Sequence, residues 1–179
     1  MEFTTSSTVA IDTTVAIDVV AYEHDQRYVL EIGLAIESIA PARTHYEYRH
    51  LVIEEHIRYR NGDHVADKRD NFRFGRSEIV SLSEANCIVN IVCGRANSVI
   101  FHAASRDVDW LDLIGVDTAS FCCYMFDTQD LARELDAPLG MEHLARYIGL
   151  PTTDLHNAGN GAALTLNVFL KLEEMLLST

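Results

Sequence analysis

The sequence predicts an α/β fold, a mixed five-stranded sheet flanked by helices on both faces. Three observations carry this. Residues 15–59 hold three β-rich apolar stretches separated by short polar gaps, as in an antiparallel meander. Beyond Ser81 the apolar period lengthens to the helical one, and helical stretches alternate with two short apolar strands. Strands first, then helix and strand in alternation, give a mixed sheet that needs cover on both sides.

Taken in order, Val15–Ala21 is apolar on both faces, as a central strand covered on both sides should be. It contains the second copy of a short repeat, Val9-Ala10-Ile11-Asp12 and Val15-Ala16-Ile17-Asp18, far too short to be a solenoid unit. Tyr28–Glu37 is the second strand and His45–Tyr59 the third, with a turn at Asn61-Gly62. Ser83–Val92 reads as a helix capped by Ser81 or Ser83. Ser98–His102 is a short buried strand and Val108–Ile114 a short helix. Ala119–Asp127 is the last strand, and Asp127 ends it or caps the helix Gln129–Leu135. Met141–Ile148 is amphipathic and stops at Gly149. Ala162–Leu177 is the longest helix, with Leu164, Val168, Leu172 and Met175 on one face. The whole is expected to be one domain over residues 1–179, with about 1–12 extended or disordered.

With 48% hydrophobic residues, the chain can bury a real core. No stretch approaches the ~18 apolar residues of a membrane span, and Met1–Thr8 lacks the features of a secretory leader. Cys87, Cys93, Cys122 and Cys123 match no zinc module, and an adjacent pair makes a poor disulfide framework; buried, reduced thiols are expected. These features point to an intracellular protein, cytoplasmic or nuclear. The net charge of −13 offers no global basic footprint for nucleic acid. Arg58, Arg60, Lys68, Arg69, Arg73 and Arg76 do gather around Phe72 and Phe74, but a solvated loop is the first expectation there. The histidines His24, His45, His50, His56, His64 and His143 form no spaced cluster and take no role.

Five phrases then appear in order. They are Ile17-Asp18-Val19-Val20-Ala21-Tyr22-Glu23; Glu31-Ile32-Gly33-Leu34-Ala35; Phe101-His102-Ala103-Ala104-Ser105-Arg106-Asp107; Phe126-Asp127-Thr128; and Leu155-His156-Asn157-Ala158-Gly159-Asn160-Gly161-Ala162. Together they resemble the motifs of the DEDDh-type 3′–5′ exonucleases of the ribonuclease H-like superfamily. His-Asn-Ala-Gly-Asn and Val52-Ile53-Glu54-Glu55-His56 resemble a fungal branch of it. The resemblance implies a ribonuclease H-like sheet and, in the family, two Mg²⁺ or Mn²⁺ ions roughly 4 Å apart that cut phosphodiesters.

It also assigns residues, and two are missing. Asp18 takes the position that bridges the ions, Asp107 the position that supports the leaving-group ion, and His156 that of the general base. Val20 stands where the family has a Glu, and Gly161 where it has an Asp. Neither side chain can ligate a hard cation. Neighbours do not repair the set: Asp12 has no Glu two residues on, Glu23 falls on the other face of a strand from Val20, and Asp109 and Asp154 sit off the vacated positions. The expectation is therefore no ion, or one weakly held Mg²⁺ or Mn²⁺ at Asp18 and Asp107, with His156 a vestigial base. The expected role is a catalytically inactive or impaired pseudo-exonuclease that binds a protein partner, with RNA, single-stranded DNA or a second copy of the chain as alternatives. An active exonuclease with an altered metal site is the competing reading.

Overall fold

A computed structural model describes residues 11–153 and 155–178. Val9 and Ala10 of the first repeat copy, and most of the segment 1–12, lie outside the described residues. Strand β1 (Asp12–Tyr22) pairs antiparallel with β2 (Asp25–Ala40), which pairs antiparallel with β3 (Arg43–Ile53). This is the expected meander. On the other side of β1 lie β5 (Ser98–Phe101) and β6 (Tyr124–Asp127), both parallel to it.

The sheet has six strands rather than five, in the order β4-β3-β2-β1-β5-β6. The added strand is β4 (Glu78–Val80), parallel to the end of β3. Its three residues carry too little pattern to read from sequence, and the Glu78 carboxylate is held by Arg49 at 2.7 and 2.9 Å. Strand β3 stops at Ile53 and not at Tyr59, because the chain coils at Glu54–His56. There the His56 ring meets the Val29 carbonyl at 2.6 Å, and Glu55 accepts from the Leu82 N–H.

Helices α1 (Leu82–Cys93) and α2 (Ala104–Leu113) cover one face, where Val15, Ile17, Val19, Ile32 and Leu51 pack with Val89 and Leu111. Ser81 caps α1 in a reciprocal capping box with Glu84. Helix α5 (Ala158–Leu176) covers the other face, with α3 (Thr128–Glu134) and α4 (Met141–Tyr147) packed on its far side. Leu164, Val168 and Leu172 are buried as the periodicity requires and contribute roughly 1.5–3 kcal/mol each.

Helix α5 begins four residues before the expected start, inside the His-Asn-Ala-Gly-Asn phrase. Two glycines in its first turns are poor helix formers, but they let the backbone touch the sheet. A Cβ on Gly33 of β2 would fall 1.8 Å from the Ala158 carbonyl oxygen. The cysteines also differ from expectation: all four are free, but only Cys93 is buried, while Cys87 and Cys122 are exposed. Burial, and Cys123 nearby, push the Cys93 thiol up to about 12.

Candidate active-site cleft

Alternation along β1 turns Ala16 toward α5, and Asp18 and Val20 follow on that face, while Val15, Ile17 and Val19 enter the opposite core. The end of β1 opens into a cleft of about 530 Å³ between the sheet, α2, α4 and α5. Asp18, Val20, His156 and Gly161 all line it, as do Arg106, Trp110 and His64. Asp107 is buried in the first turn of α2, 5% exposed, just behind Asp18.

The two aspartates are held against ionisation. Burial and then the charge of Glu31 raise Asp18 to about 7, although the Val19 N–H favours its anion. Burial, and then Asp18 itself, raise Asp107 to about 9. Coupled, buried carboxyls of this kind share protons as a pair. Among the described residues, no trio of His, Cys, Asp and Glu with ligand atoms within 4.8 Å includes either of them.

Gly161 does more than lack a carboxylate. A Cβ built on it would sit 1.9 Å from Asp18 Oδ2 and 2.7 Å from its Cγ. Helix α5 thus closes directly over the Asp18 carboxylate, and a side chain at 161 excludes Asp18 from its present rotamer. Changing Val20 and Gly161 back to carboxylates would restore the formal ligand set only if Asp18 swung away. The residues present do not fit a two-ion site. His156 stands exposed at the cleft wall with φ 71°, a left-handed backbone uncommon for a residue with a Cβ.

Asp127 is structural, as its place at a strand end suggests. Its carboxylate accepts from the N–H groups of Ala103, Ala104 and Gln129, capping α3 and fixing the start of α2. His102 shares a 2.7 Å hydrogen bond with Thr128 Oγ1, and burial lowers its basicity.

Glu23 is not on the far face of a strand as expected, because β1 ends at Tyr22 and Glu23 sits in the turn at the cleft wall, but it is committed elsewhere. Its two oxygens accept from the backbone N–H groups of Gly62, Asp63, His64 and Val65 at 2.7–2.9 Å. Burial opposes its ionisation, but the four donors prevail and hold the carboxyl down at about 2.

Sequence reasoning gave His50 no role, and the structure corrects that. His50 is fully buried, with Nε2 2.8 Å from Glu31 Oε2 and Nδ1 2.8 Å from Ser77 Oγ. Arg69 reaches the other Glu31 oxygen at 3.4 Å and donates to the carbonyls of Ile57 and Tyr59. Asn157 caps α5 and donates to the carbonyls of Lys68 and Arg69. The Ala158 N–H points at Glu31 Oε2. This network ties the first turn of α5 to β2, β3 and the loop after β3. The signal was present in the register: Gly33 pairs with His50 and Glu31 with Val52, so Glu31 and His50 are diagonal neighbours on one face.

The basic loop is largely spent on its own structure. Arg69 is buried on Glu31, Arg60 pairs with Asp67 and Asp70, Arg73 meets Thr153, and Arg58 lies over the Tyr59 ring.

A six-stranded mixed sheet with an antiparallel meander, helices on both faces and an aspartate-bearing cleft at the end of its central strand defines a ribonuclease H-like, exonuclease-type domain. The solved RNase domain of the yeast Pop2 protein has this fold: it superposes with a TM-score of 0.54 at 13% identity, over 90% of this chain and 77% of that one. The family model described as DNA polymerase III subunit epsilon-like, C-terminal domain, of the DEDDh type, matches residues 13–172, and the chain belongs to that family. Its relatives include the "Good for full DBP5 activity protein 2" of Saccharomyces cerevisiae, 26% identical over 87% of this chain and 34% of that protein. Another is the "Uncharacterized nucleolar protein C2C4.08" of Schizosaccharomyces pombe, 25% identical over 83% of this chain and 64% of that protein. The chain spans about a third of the first relative's length and under two thirds of the second's.

Proposed function

We propose that this chain is a pseudo-exonuclease: a DEDDh-type domain that has lost hydrolysis and serves as a binding module for a protein. One observation carries the reading. The Asp18 carboxylate fills the space that a side chain at 161, and with it the family's second carboxylate, would need. With Val20 apolar and Gly161 without a side chain, the floor lacks two of the carboxylates a pair of hard cations needs. His156 then has no activated water to deprotonate.

The net charge of −13 supports a protein rather than a nucleic-acid partner. A relative named for the full activity of another protein is in keeping with that. A nuclear location fits a relative named as nucleolar.

The test is direct. The chain, incubated with end-labelled single-stranded RNA and DNA and with Mg²⁺ or Mn²⁺, is expected to release no mononucleotides. Metal-dependent release that disappears in Asp18→Ala would overturn the reading and establish an active exonuclease with an altered site.

A further inference from the structure

The rim of the cleft carries a group of side chains that the lost nuclease chemistry does not use. The β1–β2 turn presents His24, and the loop after β3 presents Asp63 and His64 beside it. His24 Nε2 lies 2.9 Å from Asp63 Oδ2 and 3.6 Å from Glu23 Oε1. Ligand atoms of Glu23, His24 and Asp63 all fall within 4.8 Å of one another, the one such trio among the described residues. The His64 ring centroid is 5.8 Å from that of His24. Two imidazoles bound tetrahedrally at a metal–nitrogen distance of about 2.0–2.1 Å would have centroids about 5 Å apart, so exposed His64 must turn and approach to bring a ring nitrogen to the ion.

We propose that His24, Asp63 and His64 form a site for one borderline divalent cation of the Zn²⁺ class beside the cleft. The donor set decides the class of ion. Two neutral imidazoles and one carboxylate suit Zn²⁺ or Co²⁺, whereas Mg²⁺ and Ca²⁺ prefer oxygen ligands. Three protein ligands leave one coordination position open. His64 also lines the cleft, which places the site beside it.

Glu23 is not the fourth ligand. Its oxygens are saturated by four backbone N–H groups, and its role is to position the loop. Asn61 completes the clamp, accepting from the Glu23 N–H at 2.9 Å and donating to the Ala21 carbonyl at 3.1 Å. Six hydrogen bonds thus fix residues 61–65 against the end of β1 before any ion arrives. They also keep an anionic Glu23 3.6 Å from His24 Nε2, where its charge favours a cation beside that nitrogen.

The experiment is calorimetric titration of the metal-stripped full chain with Zn²⁺ at pH 7, paired with Co²⁺ absorption in the visible range. One equivalent is expected to bind, with a Co²⁺ spectrum of low coordination number. His24→Ala, Asp63→Asn and His64→Ala are each expected to weaken binding at least about tenfold, while Asp18→Asn leaves it unchanged. Shifts of the His24 and His64 ring resonances on Zn²⁺ addition to the unmodified protein give a second readout that needs no variant. Absence of binding, binding indifferent to His24→Ala and Asp63→Asn, or binding lost in Asp18→Asn would each overturn the site. None of these readouts involves cleavage, so the site and the pseudo-exonuclease reading stand or fall separately.

Discussion

Under the first turns of α5 lie two acidic centres on the same face of the sheet, one around Asp18 and one around Glu31. Glu31 has a histidine, an arginine and a helix N–H around its two oxygens, and every partner has further partners of its own. Asp18 has a backbone N–H, a neighbouring carboxyl and the bare backbone of Gly161. The two centres differ in what surrounds each carboxylate. A carboxylate that positions the protein's own backbone cannot be removed without unfolding something. A carboxylate whose partner is an ion can be discarded at little cost to the fold, and burial of the remainder then makes charge unwelcome. On the pseudo-exonuclease reading, chemistry can be lost while the scaffold is retained.

The comparison breaks most visibly at Glu31. Replacing it by alanine strands Arg69 and His50 without their acceptor and is expected to cost about 3–5 kcal/mol in urea unfolding. A loss below 1 kcal/mol would show that the network is dispensable. Asp107 should behave in the opposite sense. Its folded carboxyl holds a proton up to about pH 9, whereas the unfolded chain releases it near 3.8. The native state then binds the extra proton between those values, so stability is full below about pH 4 and falls as pH rises toward 9. Asp107→Asn should flatten that decline and stabilise the metal-stripped protein by about 2 kcal/mol at pH 8, read from the midpoint of unfolding across pH.

The smallest effect is a coupling. Gly161→Ala gains helix propensity of about 0.5–1 kcal/mol but collides with Asp18. In an Asp18→Ala background the collision is gone, and the same change becomes stabilising. A double-mutant cycle is expected to show an interaction of about 1 kcal/mol; strict additivity would mean that α5 does not press on Asp18.

The sequence made the meander, the α5 apolar face and the places of Asp18, Asp107 and Asp127 legible, because each depends on short-range pattern or on a motif read in order. Strand β4 escaped, since three residues have no period and its pairing is set by Arg49 from another strand. The early start of α5 escaped because Ala158-Gly159-Asn160-Gly161 has the composition of a loop; close contact with Gly33, not propensity, makes it helical. His24, His64 and Asp63 meet only once Glu23 has drawn a distant loop onto the β1–β2 turn, and spacing along the chain carries no trace of that.

The Glu31 network has one more consequence, in time rather than in space. Its contacts join positions far apart in the chain: Ala158 to Glu31 spans 127 residues, and Asn157 to Lys68 spans 89. During synthesis the meander emerges first, with Glu31, His50 and Arg69 facing a surface that nothing yet covers. Only when α5 leaves the ribosome can Asn157 and the Ala158 N–H complete the arrangement. Closure of these long loops should therefore dominate the domain's folding rate.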